Sequence, residues 1–95
     1  MLGNRAFGSA SCLVRIPQGM PLSIKDDVRE VTRLKASDPG KGHGTQLMKD
    51  ICAEADQKSK MLILIADSIE LERWYNRFGF QRIQDVPVLM LRAPL

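Results

Sequence analysis

The fold is decided by the stretch Gly40-Lys41-Gly42-His43-Gly44-Thr45, which runs directly into Gln46-Leu47-Met48-Lys49-Asp50-Ile51-Cys52-Ala53. Three glycines at alternate positions precede a segment whose apolar residues recur at helical spacing. Glycines leave the backbone N–H groups of such a loop uncovered, and the positive end of the helix dipole points in the same direction. The stretch therefore indicates a loop that binds a phosphate or pyrophosphate group through its backbone.

A second segment, Trp74-Tyr75-Asn76-Arg77-Phe78-Gly79-Phe80, makes this interpretation more specific. Together the two segments resemble the acetyl-CoA-binding core of the GNAT N-acetyltransferase superfamily. Its members have a Q/R-x-x-G-x-G/A loop followed by a Tyr-x-x-x-Gly-Phe pattern, and the matching positions here are Gly42, Gly44, Tyr75, Gly79 and Phe80. The resemblance covers residues 28–92 of a single domain, residues 1–95. It implies an α/β fold, a compact GNAT-like mixed sheet flanked by two main helices.

The chain departs from the family pattern at two positions. Pro39 stands where the loop usually has Gln or Arg, so either that side chain is dispensable or Lys41 replaces it. Ser68 stands where members often carry an Asn that helps to hold the pantetheine arm, and Ser68 or neighbouring Asp67 is expected to do so less well. The chain is also shorter at its front, where most members carry a strand and one or two helices that shape the acceptor pocket.

Hydrophobic periodicity predicts the elements along the chain. Strands are expected at residues 11–16, 22–25, 28–36 and 61–66, with a final segment around Pro87 that forms two strands, 82–85 and 88–92, or one bent strand. Helices are expected at residues 45–58 and 69–78, the second stopped by Gly79. In strand 28–36 the weak alternation predicts Val31 on one face, with Val28 and Leu34 on the other.

Length, net charge and cysteine count limit the classes of function that the chain can have. A chain of 95 residues makes one domain, and its net charge of +3 suits a polyanionic ligand such as CoA. No basic run with interleaved aromatic residues indicates nucleic acid, and no stretch approaches the roughly twenty apolar residues of a membrane helix. Cys12 and Cys52 are too few for a disulfide framework or a zinc site. We therefore expect a cytoplasmic protein with no metal, nucleic-acid or membrane partner.

The resemblance implies a cosubstrate site for acetyl-CoA. The pyrophosphate is expected on the backbone N–H groups of the glycine loop, formed here by Gly40, Lys41, Gly42, His43, Gly44 and Thr45. The pantetheine is expected along the exposed edge of the preceding strand, near Arg33, Leu34 and Lys35. A backbone N–H in that strand holds the thioester carbonyl oxygen in such enzymes.

Two residues are candidates for the chemistry itself. The resemblance makes Tyr75 the general acid, because a phenol with a pKa of about 10 stays protonated at neutral pH and can donate to a departing thiolate. The alternative is that Tyr75 is a partly buried helix residue that packs beside Trp74. Glu30 is either a base that acts through water or a solvated strand carboxylate. His43, the single histidine, occupies the variable position between two loop glycines.

These inferences predict an acetyl-CoA-dependent N-acetyltransferase that transfers acetyl to an amine of a protein or small molecule. The alternative is a catalytically inert module that binds CoA or acetyl-CoA and acts by interaction. A third possibility is an obligate homodimer whose acceptor site is completed by the partner chain, and a homodimer formed through exposed strands near either terminus is expected in any case. The acceptor stays open between a protein lysine or N-terminus, a polyamine and an antibiotic.

Overall fold

The computed structural model describes residues 1–38 and 40–95 of the chain. Six strands and two helices follow one another in these residues: β1 (Gly3–Phe7), β2 (Ala10–Arg15), β3 (Val28–Ala36), α1 (His43–Gln57), β4 (Met61–Ala66), α2 (Ile69–Asn76), β5 (Gln81–Asp85) and β6 (Val88–Arg92). Neither helix combines the length and the apolar character that crossing a bilayer requires. Within the glycine loop, residues 40–42 lie between β3 and α1, and residues 43–45 form the start of the helix.

All six strands form one mixed sheet in the order β1-β2-β3-β4-β6-β5. The central pair, β3 and β4, is parallel and is connected through α1, whereas the other four pairs are antiparallel. This arrangement confirms the α/β fold class with a mixed sheet and two flanking helices. It also makes β1 and β5 the two edge strands, one near each terminus.

The core lies between the helices and one face of the sheet. The buried face of α1 carries residues at helical spacing, and they meet alternate residues of the central strands. One continuous cluster results, formed by Ala10, Cys12, Val14, Val31, Leu47, Met48, Ile51, Cys52, Ala55, Leu62, Leu64, Ala66, Tyr75, Phe80 and Met90. Because α1 and α2 both contribute to this cluster, they pack on the same side of the sheet.

The opposite face of the sheet carries apolar residues as well. Its central residues are cross-strand pairs of β4 and β6, Ile63 with Leu91 and Ile65 with Leu89. Ile65 is 44% exposed. Neither of the two helices in the described residues covers this face, since both pack on the other side.

The observed elements differ from the predicted ones in four places. Strand β1 was not predicted, and residues 22–25 form turns rather than a strand. Leu34 packs against the core, on the same face as Val31, because a bulge at Arg33 shifts the alternation of β3 by one residue. The first helix begins at His43, two residues before its predicted start. The end of the chain forms two strands, β5 and β6, which is one of the two predicted alternatives.

Candidate functional site

A groove opens where the two parallel strands separate. β3 and β4 pair only at Val28–Glu30 with Met61–Ile63, and beyond this point β4 pairs with β6 alone. The remainder of β3 therefore presents its backbone along a cavity of about 550 Å³. The cavity is lined by β3 from Glu30 to Ala36 and by Gly44, Ile65, Asp67, Leu71, Trp74 and Tyr75.

The start of α1 forms one end of this groove. Its N-cap is Gly42, whose φ of 77° lies in the left-handed region that glycine adopts readily. Among the described residues no side chain caps this helix, and its first turn contains no acidic residue. The start of α2 differs in both respects, because the Ser68 side chain caps it and Glu70 and Glu72 lie in its first turn. Of the two helices in the described part of the chain, α1 is thus the one whose dipole end is neither capped by a side chain nor flanked by acidic residues.

The strand that borders the groove contains a backbone irregularity. Arg33 has a φ of 57°, an uncommon conformation for a residue with a side chain, and the pairing of β2 with β3 shifts at this point. The bulge leaves Cys12 opposite two residues of β3, where regular pairing has one. Arg33, Leu34 and Lys35 all line the groove, and their contact with the pantetheine stays a prediction.

Tyr75 lies at the other side of the groove and is 6% exposed. Its ring packs edge-on against Trp74, at a centroid distance of 5.3 Å, and is tilted against the ring of Phe80, at 5.9 Å. Burial raises the pKa of the Tyr75 phenol above its ordinary value of 10.0, and the negative charge of Asp67 raises it further. The phenol is therefore protonated at neutral pH, and Tyr75 lines the cavity. Its role as general acid stays a prediction.

Two carboxylates line the same groove, and they differ in their surroundings. Glu30 accepts a hydrogen bond from Arg15 Nε at 2.9 Å, since β2 and β3 place the two residues directly opposite each other. Asp67 follows the last residue of β4 and lies close enough to Tyr75 to affect its pKa. The role of Glu30 as general base stays a prediction.

The remaining predicted residues divide between the groove and its surroundings. Ser68 Oγ accepts a hydrogen bond from Leu71 N at 3.1 Å, so this hydroxyl is the cap of α2, and neighbouring Asp67 lines the groove instead. Lys41 and Gly40 are exposed, and Thr45 lines a second cavity behind the start of α1. Pro39 lies outside the described residues. The role of each of these residues in binding stays a prediction.

His43 has a contact that the sequence did not indicate. Its imidazole Nδ1 accepts a hydrogen bond from the backbone N–H of Ser9, at 3.0 Å, in the turn between β1 and β2. The two residues are separated by 34 positions. Since β1 was not predicted, no local pattern in the sequence could have brought this turn to the glycine loop.

Comparisons with known proteins find similarity at the level of structure. Neither a family model nor a curated protein matches the sequence. Among solved structures, the E. coli GNAT family N-acetyltransferase YhbS in complex with CoA matches 92% of this chain with a TM-score of 0.61 and 16% identity. A protein of Exiguobacterium sp. 255-15, provisionally named an acetyltransferase, matches 88% of this chain with a TM-score of 0.68 and 17% identity.

A third structure differs from these two in length. The anti-CRISPR protein AcrVA5 is matched over 100% of its own chain and 97% of this one, with a TM-score of 0.69 and 19% identity. By contrast, this chain spans 53% of the Exiguobacterium protein and 51% of YhbS. At these identities the matches define the fold, which agrees with the sheet order and the glycine loop described above. The chain therefore has the fold of the GNAT N-acetyltransferases, in a short form.

Proposed function

We propose that the chain is an acetyl-CoA-dependent N-acetyltransferase. One observation carries the proposal: a single groove is lined both by Gly44, at the uncapped start of α1, and by the buried phenol of Tyr75. An anion-binding helix end and a proton donor suit the two ends of a CoA thioester, whose diphosphate and sulfur are joined by the pantetheine arm. The presence of CoA in the structure of YhbS supports the choice of ligand.

The proposed binding mode follows the length of the groove. The diphosphate contacts the backbone from Gly40 to Thr45, and the pantetheine lies along the part of β3 whose edge towards β4 is unpaired. Arg33 and Lys35 add positive charge beside this path. A backbone N–H of β3 that points into the groove would hold the thioester carbonyl oxygen, and one donor of this kind contributes about 10²–10³ in rate.

The proposed reaction is a direct transfer. The nitrogen of a neutral amine attacks the carbonyl carbon of the thioester, a C–N bond forms and the C–S bond breaks. The departing sulfur takes the phenolic proton of Tyr75, and the proton released by the amine nitrogen passes to a base, for which Glu30 is the candidate. Tyr75 is then reprotonated from solvent before the next turnover.

The proposal extends to assembly and compartment. The two edge strands, β1 and β5, are unpaired on their outer sides, and every residue of β5 is exposed. We infer a homodimer formed through such an edge, because an exposed edge strand is a template for pairing with another chain.

Cys12 and Cys52 are both free thiols, which suits a reducing compartment such as the cytoplasm. The acceptor is an amine of a protein or a small molecule.

Two measurements test this function. Calorimetric titration with acetyl-CoA measures binding, and thiol release in the presence of amines, peptides and proteins measures transfer. Binding together with acceptor-dependent thiol release supports the enzyme. Binding without release for any acceptor supports the alternative, a catalytically inert module for CoA or acetyl-CoA, and the absence of binding contradicts both.

A further inference from the structure

Ser9, in the turn between β1 and β2, is hydrogen-bonded through its backbone and side chain to the β3–α1 connection and to the start of α1. Its N–H donates to His43 Nδ1 at 3.0 Å, and its hydroxyl lies 2.9 Å from the same nitrogen. Its carbonyl oxygen accepts from the N–H of Ser37 at 3.1 Å, and its hydroxyl oxygen accepts from the N–H of Asp38 at 3.2 Å. We call Ser9, Ser37, Asp38 and His43 the hairpin–loop junction.

These hydrogen bonds define which nitrogen of the neutral imidazole carries the proton. Because the backbone N–H of Ser9 is a donor, His43 Nδ1 must be the acceptor, and the ring proton of the neutral form is on Nε2. The hydroxyl of Ser9 can then donate to Nδ1 while it accepts from Asp38. Every polar atom of Ser9 thus has a partner in the β3–α1 connection or in the first residue of α1.

The turn between β1 and β2 is shaped to receive the imidazole. Gly8 has a φ of 56°, and a Cβ at this position would lie 2.6 Å from His43 Nδ1. Phe7 completes the contact, because its ring meets the imidazole edge-on at a centroid distance of 5.9 Å. Only a glycine lets the histidine ring lie this close to the turn.

We propose that Ser9 and His43 are positioning residues for the diphosphate-binding loop. Asp38 and His43, which flank Gly40 and Gly42 in the sequence, are both hydrogen-bonded to Ser9. This inference rests on the proposed binding of acetyl-CoA. Glycine-rich segments lose much conformational entropy when a ligand orders them, and a loop that is already held loses less.

The test compares two ligands in variants of the junction. Ser9→Ala removes the hydroxyl, whereas His43→Asn keeps an acceptor near the position of Nδ1 and serves as the conservative variant. Ser9→Ala should raise the Kd for CoA roughly tenfold, the scale of one or two lost hydrogen bonds, and His43→Asn should raise it less. The Kd for pantetheine, which lacks the diphosphate, should not change in either variant.

Control variants separate positioning from a general loss of structure. Ser11→Ala removes a hydroxyl from the neighbouring strand without touching the junction, and it should bind CoA as the wild type does. Ser9→Thr keeps the hydroxyl and should retain most of the affinity for CoA. Circular dichroism and thermal melting verify that each variant is folded.

The outcomes distinguish the positioning role from the proposed function. Equal CoA affinity of wild type and folded Ser9→Ala would overturn the positioning role alone. An equal loss of affinity for CoA and for pantetheine would also overturn it, since the effect would then not be confined to the diphosphate. A wild-type protein that does not bind CoA would overturn the proposed function, and with it the role of Ser9 in binding.

Discussion

Arg92 joins the last strand to the first helix through a bidentate pair with Asp56. Arg92 Nη1 donates to Asp56 Oδ1 at 2.8 Å, and Nη2 donates to Oδ2 at 3.0 Å. The side chain of Arg92 is 5% exposed, and its Nε donates to the carbonyl oxygen of Phe78, in the turn that follows α2. One guanidinium thus connects β6, α1 and this turn, and these elements support the helix that carries Tyr75.

This pair predicts a pH-dependent contribution to stability. The hydrogen bonds from Arg92 hold the pKa of Asp56 below its ordinary value of 3.8, with a further contribution from the N–H of Leu95. Because the folded state lowers the pKa, the stabilisation is fully present above pH 3.8 and is lost as the pH falls through the pKa of the folded state. At neutral pH the pair therefore contributes in full.

We expect Asp56→Asn to lower the free energy of unfolding by roughly 2–3 kcal/mol at pH 7, the upper range for hydrogen bonds to a charged group. Urea denaturation at pH 7 and at pH 3 measures the difference between wild type and variant, and this difference should shrink at pH 3. Asp50→Asn is the matched control, since Asp50 is an exposed residue of the same helix and should change stability little. A difference that is equal at both pH values would contradict the prediction.

A second prediction concerns the glycine loop. Gly42→Val should abolish binding of acetyl-CoA, because valine does not adopt a φ of 77° without strain and its side chain would occupy the space in front of the helix. Gly19→Val is a matched control, since Gly19 has the same φ of 77° and a Cβ added there would also have no atom within 4 Å. Calorimetry should find normal affinity in the control and none in Gly42→Val. Unchanged affinity for acetyl-CoA in a folded Gly42→Val protein would contradict a diphosphate site at the glycine loop.

The segment from β3 to α2 could be predicted from the sequence because its signals are local. The apolar face of α1 repeats at helical spacing, and β4 is a continuous apolar run. Gly79, with a φ of 95°, ends the second helical region as its position predicts. Each of these features depends on residues within a few positions of one another.

The features that sequence reasoning missed depend on pairing between distant residues. β1 contains Asn4 and Arg5 and has no apolar alternation, so it becomes a strand through its antiparallel partner β2. Leu34 lies on the core face only because the bulge at Arg33 forms against β2. The contacts of Ser9 with His43 follow in turn from the β1–β2 hairpin, which lies outside the segment that the resemblance covers.

A third prediction concerns assembly. If the edge of β5 pairs two chains, Ile83→Lys should yield a monomer, because Ile83 is a 55% exposed apolar residue of this edge strand. Ile69→Lys is the matched control, since Ile69 is 57% exposed but lies on α2. Light scattering at micromolar to millimolar concentration measures the mass of each protein. A wild type that stays monomeric over this range would contradict the homodimer, and a dimeric Ile83→Lys would exclude β5 as its interface.

The last prediction separates the enzyme from the inert binding module, and it concerns Tyr75. Tyr75→Phe keeps the ring, its contacts with the rings of Trp74 and Phe80, and the groove, and it removes only the hydroxyl. If Tyr75 protonates the departing thiolate, turnover should fall by roughly 10²-fold or more, while the affinity for acetyl-CoA stays within a few fold. Because burial raises the pKa of Tyr75 above 10.0, deprotonation of the phenol should not limit the wild-type rate at neutral pH.

Thiol release from acetyl-CoA at a saturating concentration of the acceptor measures this turnover. Calorimetry measures the affinity for acetyl-CoA. Trp74→Phe is a suitable comparison, because it alters the aromatic packing beside Tyr75 but leaves the hydroxyl in place. Its turnover should exceed that of Tyr75→Phe, since a packing change does not remove the proton donor. Equal rates for wild type and Tyr75→Phe would remove Tyr75 from the mechanism.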